Sequence, residues 1–211
     1  MNRAERDTVT VVGAGKAAGV PDVLRTSYRV TARGADVGLA LDAASEAMRR
    51  VLDVVRAHGV ADRDIATGQI HVDERRGDKG QRLGFEAFQS LLVTARDISR
   101  SGELMRNVAE AAPEELSIGY ISTAIDEPGP LLVAAREAAF ADAREKAEQF
   151  AALSGRGLGS VLHIADDSDH PVFPRAAGKG AMVMAAMSSV PIEAGEDELE
   201  ARVRVTWRLT D

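Results

Sequence analysis

The chain has 211 residues, no cysteine, 28% charged residues and a formal net charge of −7. The lack of cysteine excludes disulfides, thiolate nucleophiles and cysteine metal sites. The negative balance argues against non-specific binding to nucleic acid or anionic membranes, and no run of about 18 apolar residues exists to cross a bilayer as a helix. Aromatic residues make up only 4%, so a core must be built from Ala, Val, Leu and Ile. The segment before Val9 has no recognisable signal peptide. The expectation for the chain as given is therefore cytoplasmic, becoming periplasmic or extracellular if a leader has been removed.

In chain order, the β-branched run Thr8–Val12 reads as a strand that ends at Gly13. A longer strand follows from Pro21 to Arg33. Leu24, Thr26, Tyr28, Val30 and Ala32 alternate there with Arg25, Ser27, Arg29, Thr31 and Arg33, as in a sheet with one buried and one wet face. Asp36 is placed to cap a helix that runs to His58. Its apolar stripe is Val37, Ala40, Leu41, Ala44, Ala47, Met48, Val51, Val54 and Val55, and Gly59 is placed to end it in a left-handed turn. Two strands, Ile65–Arg75 and Arg82–Arg96, are joined by the polar hairpin loop Arg76–Gly80. A helix is predicted over Asp97–Ala112, with Ile98, Leu104, Val108 and Ala111 inward and Pro113 as its stop. Leu116–Ile125 reads as a strand.

Residues 130–154 then form the stretch around which the chain is organised. Leu132, Ala135, Ala139, Ala143, Ala147, Phe150 and Ser154 recur at steps of three and four, the period of one helix face. A face made mostly of alanine lets a neighbouring element approach closely. The opposite face is charged, with Asp142–Lys146 and Arg144–Glu148 spaced for i,i+4 pairs. Pro130 suits the first turn and Gly155 the C-terminal cap. Strands follow over Leu158–Ala165 and Leu199–Leu209, the second with Ala201, Val203, Val205, Trp207 and Leu209 on one face. Between them, residues 166–189 read as a long flexible excursion. The order strand–helix–strand–strand–helix–strand from Pro21 to Ile125 is a ferredoxin-like βαββαβ unit. The whole is an α+β fold in which that unit packs with a second α/β layer, the long Ala-rich helix lying on a mainly antiparallel sheet. We take residues 1–211 as one domain with subdomains 34–127 and 7–33 plus 128–211.

The motifs that could carry chemistry are few. Gly13-x-Gly15-x-x-Ala18 after a strand matches the relaxed dinucleotide fingerprint. That chemistry needs a helix to start there, so that its amides meet a pyrophosphate. Pro21 and the alternating strand after it leave no such helix, and a glycine-rich turn is the favoured reading. Asp166, Asp167, Asp169 and His170 could gather a hard cation but lack the EF-hand pattern, so a solvated loop is favoured. His58, His71 and His163 lack H-E-x-x-H spacing, and no G-x-S-x-G elbow occurs. Met182, Met184 and Met187 form a candidate interaction segment, because thioether side chains repack easily against a partner. Arg25, Arg29 and Arg33 could meet an anionic partner, but neutralisation by neighbouring acids is favoured. No catalytic, cofactor-binding or metal-binding residue emerges, and no cofactor is expected.

Several pieces resemble one family. Residues 135–161, AREAAFADAREKAEQFAALSGRGLGSV, resemble the signature helix of the SIMPL-domain family and the strand that follows it. Val11-Val12-Gly13-Ala14-Gly15 with Pro21-Asp22 looks like the family's opening, and Asp64-Ile65-Ala66-Thr67 like its D-I-x-T strand entry. Pro191–Glu196 with the valine-rich last strand looks like its ending. The chain departs from the family at Ala111-Ala112-Pro113, where members usually carry a glycine. The resemblance implies kinship with bacterial periplasmic immunogenic and oxidative-stress-associated proteins, and with an animal kinase-associated signalling protein. It implies homo-oligomers, ring- or channel-like in some members, and it brings no enzymatic activity. The expectation is thus a non-enzymatic protein that self-associates or binds a protein partner, stress- or envelope-related. The alternatives are a small nucleotide-binding enzyme using the Gly13–Ala18 turn, and a monomeric adaptor that takes a peptide on a sheet edge.

Overall fold

The computed structural model describes residues 7–167 and 195–211. Its chain order is β1 (Thr8–Gly19), β2 (Val23–Gly34), α1 (Val37–Ala57), β3 (Ile65–Arg76), β4 (Arg82–Ala95), α2 (Ser101–Ala111), β5 (Leu116–Ala124), α3 (Gly129–Leu153), β6 (Gly157–Asp166) and β7 (Asp197–Thr210). Two sheets form, ordered β1-β7-β6 and β3-β4-β2-β5, and every strand pair is antiparallel. The protein is α+β, as its alternation of short periods predicts. The chain folds into two compact units, one comprising residues 7–20, 127–167 and 195–211, the other residues 21–126. Strand β2 therefore belongs with 34–126 and not with residues 7–20.

Residues 21–126 form the βαββαβ unit, and the strand order β3-β4-β2-β5 places the first and third strands of the motif at the centre. The alternation of β2 is realised. Leu24, Thr26, Tyr28, Val30 and Ala32 are buried while Arg25, Arg29 and Arg33 are exposed. Asp36 caps α1 as its residue type suggests, accepting the amide of Leu39 at 2.9 Å. Ala40, Ala44, Ala47, Met48, Val51 and Val55 make the buried stripe of α1. Gly59 has φ 91°, the left-handed conformation that a side chain disfavours. The start of α2 differs from expectation. The Asp97 carboxylate accepts the amide of Arg100 and holds Ile98–Arg100 in a tight 3-10 turn before the α-helix begins. Leu104, Met105 and Val108 then face Tyr28, Val30, Leu91 and Val93 in one core.

In the other unit, α3 lies over β1 and β7 and touches β6 least. Its buried residues are Ala135, Ala139, Ala143, Ala147 and Ala151, a ridge of strict four-residue steps of the kind that packs into a groove. Phe150, expected on this face, is instead 52% exposed. The ridge advances by fours, which puts Ala151 inward and leaves Phe150 on the flank. Val11, Val205 and Trp207 meet Ala143 and Ala147 beneath the helix, with Phe140 tilted 6.0 Å from the Trp207 ring.

Strand β1 is longer than expected. It passes straight through Gly13 and Gly15, pairing with β7 from Thr8↔Arg208 to Gly19↔Asp197. The expected stop at Gly13 is wrong because these glycines make room for α3. A β-carbon on Gly13 would meet the Ala139 carbonyl oxygen and the Ala143 amide, and one on Gly15 would meet the Ala139 amide and the Ala135 carbonyl.

Candidate functional site

The dinucleotide fingerprint is built out by this packing. No helix begins at Gly15, since β1 continues to Gly19. The backbone of Gly13–Gly15 also lies against α3. Asp142 of α3 accepts the Ala14 amide at 2.8 Å, and Lys146 donates to the same carboxylate at 2.6 Å and to the Val12 carbonyl at 3.2 Å. The Lys146 ammonium and the Ala14 amide hold the Asp142 carboxyl below the usual carboxylate range. These side chains take up free backbone groups of β1 on the side away from β7 and so blunt that edge.

The arginine row of β2 is largely committed. Arg33 pairs with Glu86 at 3.0 Å and Arg25 reaches Asp126 at 3.7 Å. Arg29 lies with its guanidinium 4.7 Å from the centre of the Phe88 ring, on whose other flank His71 stands at 5.5 Å. His71 also bonds Asp73 at 3.0 Å. His58 caps the end of α1 and bonds the Arg100 carbonyl at 3.1 Å. It lines a shallow groove between α1 and α2 with Val54, Glu103, Asn107 and Glu110. His163 stands on β6. The structure brings no two of these histidines together in a ligand set.

In the acidic run, Asp166 pairs with Arg136 at 3.5 Å and Asp167 with Arg204 at 2.9 Å. Among the described residues no three His, Asp or Glu side chains gather to hold a metal ion. Asp169, His170, Met182, Met184 and Met187 lie outside the described residues.

What sequence reasoning passed over are two outer strands, β5 and β6. Each is the last strand of its sheet. Leu116–Ala124 carries no acidic or basic side chain, and Gly157–Asp166 carries only His163 and, at its end, Asp166, in a chain that is 28% charged. Their apolar side chains are exposed: Ile118, Tyr120 and Ile121 on β5, and Val161, Leu162 and Ile164 on β6. Cross-strand pairing fixes the faces. Ile118 and Ile121 stand opposite the buried Tyr28 and Thr26, and Val161 and Ile164 opposite the buried Trp207 and Val205. Those four side chains therefore point to the helix-bearing faces of their sheets, beyond the helices' cover. The sparse charge of the two strands was the available signal.

An α+β protein of two antiparallel sheets, with its glycine fingerprint built into a strand–helix contact, has no nucleotide cleft at that fingerprint. Its sequence assigns it further. The family model of SIMPL, described as "Protein of unknown function (DUF541)", matches residues 9–207, and the chain belongs to that family. It is similar to the 26 kDa periplasmic immunogenic proteins of Brucella melitensis biotype 1 and Brucella abortus, each 29% identical over 212 residues that cover 95% of this chain and 84% of the relative. Among solved structures, that of AtUAH in complex with (S)-hydroxyglycine aligns with 54% of this chain and 30% of its own at 14% identity. Its TM-score is 0.28, and at that score the likeness carries no argument.

Proposed function

We propose that this chain works without catalysis, by associating with copies of itself or with a protein partner, and that it does so as a component of the cell envelope. The observation that carries the reading is the pair of outer strands β5 and β6, sparse in charge and with exposed apolar side chains. An exposed strand edge is a ready template for another chain, and proteins that stay apart normally blunt it with charge, proline or a covering element. Contiguous exposed apolar surface on a soluble protein marks interaction sites. The envelope placement is supported by the relatives, whose names describe them as periplasmic; the cytoplasmic expectation has no such support. Against the nucleotide-binding alternative stands the continuation of β1 through Gly15, which removes the helix terminus a pyrophosphate needs.

Light scattering coupled to size exclusion, on protein at tens of micromolar, tests the reading. A mass of two or more chains is the expected result. A mass of one chain removes self-association and favours the monomeric adaptor that takes an extended peptide on a sheet edge.

A further inference from the structure

The sheet β1-β7-β6 has one face under α3, where Val11, Val205 and Trp207 pack. Side chains alternate along a strand, so Arg204, Thr206 and Arg208 of β7 stand together on the opposite face, about 7 Å from one to the next. The register adds their neighbours. Thr206 lies opposite Thr10 on β1 and opposite His163 on β6, and directly opposed residues of antiparallel strands share a face. Thr206 is thus the centre of a cross, with Arg204 and Arg208 along its strand and Thr10 and His163 to either side. Thr206 is half-buried and the other four are exposed. The charges of this face are answered unevenly. Lys16 pairs with Glu198 at 2.7 Å, Arg202 with Glu200 at 2.8 Å and Arg204 with Asp167 at 2.9 Å. Asp7 and Asp211, near the Arg208 end, are both held by Arg156. Among the described residues, Arg208 and His163 meet no carboxylate.

We propose that this patch binds a phosphate group, carried either by a free small molecule or by a lipid headgroup. The Arg208 guanidinium can give two parallel N–H bonds to two oxygens of one phosphate. The Thr10 and Thr206 hydroxyls are 2.9 Å apart. One of their two protons serves that bond, and the other is left to donate. His163 adds a ring N–H from the third strand. Arg204 gives Asp167 a bond from Nη2 and keeps further N–H donors. Donors from three strands therefore meet over Thr206, and a tetrahedral oxyanion has acceptor oxygens on enough sides to use them. A carboxylate has two oxygens and would leave part of the set idle. The site needs no second copy, so it stands apart from self-association.

The test has two arms on the full chain near neutral pH. Isothermal titration measures binding of inorganic phosphate, and cosedimentation compares vesicles containing phosphatidylglycerol with vesicles of phosphatidylcholine alone. Wild type is expected to bind saturably in at least one arm. Arg208→Gln is expected to weaken that binding by about tenfold or more, since it removes a charged hydrogen-bond donor. His163→Ala should weaken it by a smaller factor. Arg202→Gln, on the same face but engaged by Glu200, should leave it close to wild type. All three positions are exposed, and circular dichroism checks that the variants keep wild-type secondary structure. Binding of inorganic phosphate that depends on Arg208 supports the site and assigns a free phosphate compound. Binding to phosphatidylglycerol alone, with the same dependence, supports it and assigns a headgroup. Equal losses in Arg202→Gln and Arg208→Gln would mean diffuse attraction by the whole face and overturn the site. Acetate bound as tightly as phosphate would overturn the phosphate assignment, and no saturable binding in either arm would overturn the proposal outright.

Discussion

Gly15 lies so close to Ala139 that no β-carbon fits between them: one built on Gly15 would fall on the Ala139 amide and on the Ala135 carbonyl beside it on α3. The obstacle is backbone, which cannot swing away as the end of a flexible side chain can. Overfilling a packed contact costs about 1–3 kcal/mol and more where nothing yields. Gly15→Val is therefore expected to lower the melting temperature strongly. Gly129→Ala meets nothing within 4 Å and serves as its control. From the other side of the same contact, Ala143→Glu places a charge where exposure is nil and is expected to be at least as damaging. Ala138→Glu, on the exposed face of α3, is expected to leave the melting temperature close to wild type.

The alanine ridge, the cap at Asp36 and the alternation along β2 were legible in the sequence because each is a local rule: a helix period, a capping side chain, a two-residue repeat. The continuation of β1 through Gly13 and Gly15 was not. Glycine in a strand reads as a break when the chain is taken alone, and only the arrival of α3 turns it into a requirement. Phe150 was misplaced for a related reason. Steps of three and of four both fit a helix face, and the packing on β1 selects the fours. The outer strands β5 and β6 were legible as strands, but their position at the sheet edges depends on the order in which strands pair.

Asp142 offers a pH-dependent readout of the closed β1 edge. Its carboxyl is held low by Lys146 and by the Ala14 amide, so its folded pKa lies below its unfolded value near 3.8. The stabilisation is present above about pH 4 and is lost as pH falls through the folded pKa. The pair is partly solvent-exposed, so it contributes less than about 1 kcal/mol. Asp142→Asn keeps an acceptor for the Ala14 amide but loses the charge. The variant is expected to melt slightly below wild type at pH 7, with the gap narrowing as pH falls below about 4. A gap that stays the same size as pH falls through the carboxylate range would show that the charge has no part in it.

Tyr28 is wholly buried in the core of residues 21–126, and burial pushes its hydroxyl up to about 12 from an ordinary 10.0. A raised folded pKa means that the protonated group supports the fold fully below pH 10 and that this support is lost as pH rises through 12. The shift corresponds to about 2–3 kcal/mol over that window. Ultraviolet titration should therefore show Tyr28 ionising only above pH 11 or together with loss of structure. In Tyr28→Phe the alkaline fall in melting temperature between pH 10 and 12 should shrink. An unchanged alkaline fall in that variant would place its cause elsewhere.

Arg96, just beyond the end of β4, ties three segments of the βαββαβ unit. Its guanidinium donates to both oxygens of Asp64, at 2.9 and 2.8 Å, and to Asp126 at 2.7 Å. Asp126 in turn gives its amide to the Asp22 carboxylate at 2.8 Å. The Asp64 side chain is only 8% exposed, and the arginine holds its carboxyl below the usual range. Removing Arg96 leaves Asp64 with only Arg63, at 3.8 Å, to offset its desolvation, whereas replacing both partners with apolar groups strands no charge on Asp64. Arg96→Met should therefore lower the melting temperature more than the double variant Arg96→Met/Asp64→Leu does. The deficit of the single variant should narrow as pH is lowered through the carboxylate range, because protonating Asp64 removes the stranded charge. The coupling is read from the double-mutant cycle, which also needs Asp64→Leu alone. Additive effects of the two substitutions, with no dependence on acid pH, would mean that Arg96 acts through Asp126 alone and that Asp64 is held by its surroundings without it.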